Sequence, residues 1–249
     1  MAPLLEQCPI LYRNELRPGV VDLVLRAASI APLCSPGQFV HIKCSDELLL
    51  RRPISLCDVE DDTIRLVIES VGKGSKWLCE RQAGELLDLL GPLGDHGFPI
   101  PDADDGRPIL LIGGGVGAPP MLGLCRALVE KGLSPRVILG FNSAREAILL
   151  DGFRALGADV TVTTADGSMG ARGFVTAAMD LPHDYFFACG PEPMLRAVAQ
   201  KSPAPGQLSF EERMGCGFGV CMGCSCQTKY GAKRICKDGP VLLKEEIIW

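Results

Sequence analysis

Five of the chain's twelve cysteines fall within residues 216–236, CGFGVCMGCSCQTKYGAKRIC, and their spacing narrowly limits how this end of the chain can fold. Cys216, Cys221 and Cys224 follow C-x4-C-x2-C, and Cys236 comes after eleven further residues. That is the spacing of plant-type 2Fe-2S ligation, in which thiolates converge on two irons bridged by sulfides. Gly215, Gly217, Gly219 and Gly223 let the loop wrap closely and leave backbone N–H groups free to point at sulfur. A zinc site is the competing reading. Structural zinc sites usually use two short cysteine pairs, and here only Cys221 and Cys224 form one. Cys226 is expected to be a bystander thiol.

The other seven cysteines are scattered singly and read as small buried apolar side chains. The N-terminus, MAPLLEQCPILYRNEL, lacks the basic flank and apolar stretch of a secretory signal, and the most apolar run is broken by glycine and proline before it could span a membrane. A reducing, cytoplasmic setting is therefore expected, where disulfides are rare. With 249 residues, 47% of them hydrophobic and 22% charged, the chain can bury one large core or two modest ones. A net charge of -5 without long like-charged runs gives no basic face for nucleic acid.

A 2Fe-2S centre carries one electron at a time, so the remaining residues must supply a donor and an acceptor. The segment RPILLIGGGVGAPPMLGLCRALVEKG reads as a buried strand, a glycine loop (Gly113, Gly114, Gly115, Val116, Gly117) and a helix opened by proline. A strand, glycine turn and helix N-terminus bring N–H groups against a phosphate, although GGGVG is not the G-x-G-x-x-G fingerprint. Strand-like runs at RVILGFN, DVTVTTAD and DYFFACG, alternating with helical stretches, predict a parallel α/β sheet. Ser143 and Arg145 could receive the 2′-phosphate of NADP, but Ser143 and Glu146 also form S-x-x-E, which predicts a capping box for the next helix, leaves Arg145 exposed and favours NAD. Before residue 75 the chain offers only short β-branched runs bounded by turns, which predicts an antiparallel barrel. Arg51 and Arg52 beside it are either a solvated pair or, with the glycine-opened helix start GKGS, a pyrophosphate site.

Taken in order, RPIS, GKGS, GPLG, GGGVGAPP, ACGPEPM and the cysteine-rich tail give a chain that resembles the ferredoxin-NADP reductase superfamily. It is similar in particular to the electron-transfer subunits of NAD-dependent class B dihydroorotate dehydrogenases, most specifically in the tail ERMGCGFGVCMGCSCQTKYGAKRICKDGPV. The resemblance implies a multi-domain chain: an antiparallel FAD-binding barrel (1–102), a parallel α/β NAD domain (103–206) and a small 2Fe-2S module (207–249). It implies that Arg52, Pro53, Ile54 and Ser55 line the FAD, that Val67, Ile68 and Glu69 run beside its ring, and that Gly74 and Ser75 hold its pyrophosphate. Ile54 stands where relatives often carry an aromatic, so stacking from that position is lost. The glycine loop would receive the NAD pyrophosphate, with Cys189 and Gly190 near the nicotinamide.

NADH releases two electrons together and the cluster accepts one, so the implied order places FAD between them. No residue is expected to act as a general base. Nothing in the chain reads as a dihydroorotate site, and the resemblance implies a separate FMN-containing catalytic subunit, in a heterotetramer, against which Phe218, Val220 and Met222 form either a docking face or a shielding shell. Two other readings remain open: an NAD(P)H-dependent reductase serving another acceptor, and a zinc-binding regulatory protein.

Overall fold

The computed structural model describes residues 2–100 and 108–249. Hydrophobic alternation builds the first half. In β6 (Leu86–Leu93) every second residue is buried, with Leu87 and Leu89 inside, each contributing about 1.5–3 kcal/mol by burial. The other barrel strands are β1 (Leu4–Arg17), β2 (Val20–Arg26), β3 (Phe39–Lys43), β4 (Arg52–Glu60) and β5 (Thr63–Glu69). They close in the order β1-β2-β5-β4-β3-β6, with every pairing antiparallel. Ile10, Leu23, Leu25, Ile42, Ile64 and Leu66 fill the interior with the two β6 leucines, and α1 (Lys73–Cys79) packs Leu78 against them.

Continuous burial builds the second half. All six residues of β7 (Ile109–Gly114) are buried because the strand is central and covered on both faces. Ile109 and Leu111 face α2 (Ala118–Glu130), whereas Leu110 and Ile112 face the side covered by α4 (Glu192–Lys201). The flanking elements are β8 (Arg136–Phe141), α3 (Leu150–Ala155), β9 (Asp159–Thr164), β10 (Ala171–Arg172), β11 (Tyr185–Cys189) and β12 (Gly206–Ser209). They give a parallel sheet in the order β10-β9-β8-β7-β11-β12.

The tail forms a hairpin, β13 (Ser225–Thr228) with β14 (Gly231–Arg234), then α5 (Ile235–Asp238) and β15 (Val241–Leu243). β15 pairs antiparallel with β12, so the sheet has seven strands and is not wholly parallel, and the tail is sewn into it. The expected boundary at 206/207 cuts β12, and the one at 102/103 lies outside the described residues. An ion pair of 2.8 Å between Arg126 on α2 and Asp58 on β4 ties the sheet to the barrel.

The expected capping box is not formed. The Ser143 side chain makes no cap bond, the Ala144 N–H donates instead to Ser168 Oγ at 2.7 Å, and Glu146 accepts a 2.8 Å bond from Asn142 Nδ2. The loop after β9 supplies a better-placed hydroxyl, and the segment makes one 3-10 turn before α3 begins at Leu150.

Candidate functional site

Between barrel and sheet lies a cleft of about 630 Å³ whose lining includes Arg52, Pro53, Ile54, Ser55, Val67, Ile68, Glu69, Gly74 and Ser75. The two arginines divide there. Arg51 donates to the carbonyls of His41 and Asp88 and pairs with the Asp88 carboxylate at 2.6 Å, so it fastens the barrel rim. Arg52 crosses the start of α1 instead: a Cβ on Gly74 would stand 2.1 Å from its Nε, so only glycine lets the guanidinium lie over the helix start. A guanidinium beside backbone N–H groups is a site for a diphosphate. Ser75 Oγ is occupied locally, accepting from the Val71 and Gly72 N–H groups, and Glu69 is held by Arg17 at 2.6 Å. The side chain of Ile68 points into the barrel core, so its backbone borders the cleft.

The glycine loop separates this cleft from a second one of about 450 Å³. Gly114 and Gly115 line the second cleft, whereas Val116, with Pro119 and Pro120, faces the first. Gly113 packs against the start of α2, and Gly117 lies so close to the Cys189 carbonyl that a Cβ would be 2.2 Å from its oxygen. Cys189 is fully buried beneath the loop, and its burial pushes the thiol up to about 12, so it is a packing residue and not a nucleophile. Gly190, at φ +155°, abuts Met194, which lines the second cleft. The cysteine and glycine, expected near the nicotinamide, thus support the glycine loop expected to receive the NAD pyrophosphate.

Sequence reasoning gave the remaining walls no place on a cleft. Phe39, Leu50, residues 210–214 and Pro240 complete the first cleft, and Asn142, Glu146, Phe174 and Met194 help to form the second. Of SFEERM, only ERM belongs to the tail that carries the resemblance, and nothing in it signals a cleft wall apart from its position between the last parallel strand and the cysteine loop. Glu211 opens onto the first cleft, whose walls desolvate its carboxyl and push its pKa up.

The cysteine loop starts two residues after the cleft wall ends at Met214. Its four candidate ligands form two pairs. The Cys216 sulfur accepts N–H bonds from Val220 at 3.3 Å and Cys221 at 3.5 Å. Partial burial alone would raise its pKa, but these donors, the Phe218 N–H and the Cys221 thiol outweigh it and bring it down to about 6. In the other pair the Cys236 N–H donates to the Cys224 sulfur at 3.4 Å, and burial together with the neighbouring Cys224 pushes Cys236 up to about 12. Cys224 and Cys236 are buried, Cys216 is half-buried and Cys221 is exposed. Two thiol pairs suit two irons. Among the described residues no group of three or more histidine, cysteine or acidic side chains gathers around one point. Cys226 is on β13 opposite Lys233 and packs on the core. Phe218, Val220 and Met222 are 44%, 73% and 53% exposed around this loop.

A barrel cleft, a nucleotide cleft sharing its wall and a paired-cysteine loop define a reductase module of the ferredoxin-NADP reductase type. At TM-score 0.89 and 29% identity, the chain is similar to a chain of the NADH-dependent reduced ferredoxin-NADP oxidoreductase studied for flavin-based electron bifurcation, covering 98% of this chain and 90% of that one. Phthalate dioxygenase reductase shares the fold at TM-score 0.67 and 15% identity, covering 90% and 87%. Residues 211–248 match the family model described as the iron-sulfur cluster binding domain of dihydroorotate dehydrogenase B. The chain is 40% and 39% identical to the electron transfer subunits of dihydroorotate dehydrogenase B (NAD(+)) from Bacillus mycoides (strain KBAB4) and Bacillus cereus (strain G9842), over 96% of each chain. It belongs to that family of electron transfer subunits.

Proposed function

We propose that this chain conducts electrons between an FMN-containing subunit that oxidises dihydroorotate to orotate, a step of pyrimidine biosynthesis, and NAD+, using a 2Fe-2S cluster and FAD. The observation that carries this reading is contiguity: residues 210–214 wall the barrel cleft and lead within two residues to Cys216, while Val116 and Gly115 face the two clefts from one loop. FAD, when bound, exchanges electrons in pairs with a nicotinamide and singly with a cluster. Arg52 and the α1 start hold its diphosphate, and Pro53, Ile54, Ser55, Val67 and the backbone at Ile68 and Glu69 form the walls beside its ring. Gly114 and Gly115 receive the NAD diphosphate, and Cys189 and Gly190 set the loop's height over the sheet. Cys216, Cys221, Cys224 and Cys236 would hold the cluster, which would supply one-electron transfer. No side chain is assigned as acid or base, because hydride transfer requires alignment and not proton transfer.

The partner docks at Phe218, Val220 and Met222, an exposed apolar rim around the cysteine loop, in a heterotetrameric complex. The coenzyme is NAD: Glu146 places a carboxylate on the nucleotide cleft after β8, where the adenosine ribose of this fold lies, and that charge disfavours a 2′-phosphate. A cytoplasmic location is supported by twelve unpaired cysteines, and no helix among the described residues is long and apolar enough to cross a membrane. The test is to co-express the chain with an FMN-containing dihydroorotate-oxidising subunit and assay dihydroorotate-dependent NAD+ reduction. A stable complex whose activity requires both chains is expected. Failure to associate, or equal NAD+ reduction by the FMN subunit alone, would assign the chain to another acceptor.

A further inference from the structure

His41 is a fully buried polar side chain without a hydrogen-bond partner at either ring nitrogen. Leaving a buried polar group unpaired costs free energy, and a leucine would fill the space without that cost. The residue lies on the outer face of β3, because Val40 and Ile42 take the inward positions in the barrel core. Its ring meets the edge of Phe39, with centroids 6.0 Å apart at 71°, and Phe39 lines the barrel cleft. On the other side it lies against the cysteine loop: a Cβ on Gly217 would stand 2.5 Å from both Nδ1 and Cε1. The imidazole therefore fills the seam between the flavin cleft and the cluster loop.

The chain's own groups nearby are committed. Arg51 spends its guanidinium on the His41 carbonyl and on Asp88, and the Cys216 sulfur already collects N–H donors. Burial, then the positive charges of Arg51 and Arg52, holds the imidazole pKa down to about 4, so the ring is neutral and carries one N–H. The acceptor that suits a lone N–H beneath a cysteine loop is sulfur, which gathers negative charge when a cluster is reduced.

We propose that His41 donates its ring N–H to the sulfur shell of the 2Fe-2S cluster and thereby raises the cluster's reduction potential relative to the same site without the donor. The inference rests on the cluster reading above. A hydrogen bond to sulfur stabilises the reduced form more than the oxidised one, so His41 helps to set how the electron divides between flavin and cluster.

Pulsed EPR of the chemically reduced holoprotein tests this directly. The chain has three histidines; His96 is largely exposed and His183 is bonded to the Leu181 carbonyl and Ser202, which leaves His41 as the source of any cluster-coupled histidine nitrogen, distinct from the backbone nitrogens that donate to the cysteine sulfurs. The expected result is a histidine nitrogen coupling that changes on 15N-histidine labelling and disappears in His41→Leu. In a redox titration, the His41→Leu cluster should be at least tenfold harder to reduce at a given poise, a fall of ~59 mV for one electron. His41→Gln, which keeps an N–H donor, should retain most of the wild-type potential. A normal 2Fe-2S signal without histidine coupling would overturn the proposal and leave the cluster reading standing, and the labelled wild-type protein decides this even if His41→Leu does not load. Absence of any 2Fe-2S signal in the wild-type protein would overturn both.

Discussion

Arg51 and Arg52 are adjacent in sequence but serve different parts of the molecule. Arg51 is fixed against Asp88 on the barrel rim, while Arg52 spans Gly74 at the mouth of the cleft. Arg52→Ala should therefore weaken FAD retention by about 1.5–3 kcal/mol, the range for a charge-assisted hydrogen bond, with little change in Tm. Flavin content after dialysis checks this, and undiminished retention would contradict it. The cysteines divide similarly. Replacing Cys216, Cys221, Cys224 or Cys236 by Ala should abolish the visible iron-sulfur absorption, whereas Cys226→Ala should keep most of it, because Cys226 packs on the core beside β14. Iron retained in the Cys236 variant and lost in the Cys226 variant would reverse the assignment. Spacing alone pointed to these four candidate ligands, because C-x4-C-x2-C supplies Cys216, Cys221 and Cys224 locally and Cys236 follows after eleven residues. The orphaned His41 was not legible, because its meaning arises only when a strand of the barrel meets a loop some 175 residues later.

Among the elements, the strands with regular patterning were the readable ones: β2, β3 and β5 alternate or carry β-branched runs, and β7 is apolar throughout. β1 was not read. Its fourteen residues mix Pro9, charges and apolar positions, and the pairing is broken by irregularities between Ile10 and Tyr12 and between Glu15 and Arg17, so no single period persists. The turn after β8 shows local pattern overridden by tertiary context. Ser143 and Glu146 have capping-box spacing, yet Ser168 takes the capping bond and Glu146 is left facing the nucleotide cleft. From that position the carboxylate opposes a 2′-phosphate, and Glu146→Gln should reduce the preference for NADH over NADPH by about tenfold, the effect of one like-charge contact of ~1.4 kcal/mol. Steady-state kcat/KM for both coenzymes checks this, and an unchanged ratio would place the ribose elsewhere.

At the scale of the whole molecule, the barrel, sheet and cysteine loop are arranged around shared walls. The glycine loop faces both clefts, residues 210–214 join the barrel cleft to the candidate cluster ligands, and β15 returns the tail to the sheet beside β12. The Arg126–Asp58 ion pair holds α2 against β4 and so fixes how the nucleotide cleft faces the barrel cleft. The order of the modules was legible in the sequence because each carries its own local signal; their mutual placement was not, because it depends on pairs such as Arg126 with Asp58 that are 68 positions apart. The central claim is that one chain joins two-electron nicotinamide chemistry to one-electron cluster chemistry. An anaerobic NADH titration of the purified chain, followed together by visible absorption and EPR, tests it most directly. The account predicts bleaching of flavin absorption with the appearance of a reduced 2Fe-2S signal, consuming about 1.5 NADH per chain for two flavin electrons and one cluster electron. Flavin bleaching without any cluster signal, or a colourless zinc-containing protein that does not react with NADH, would contradict it.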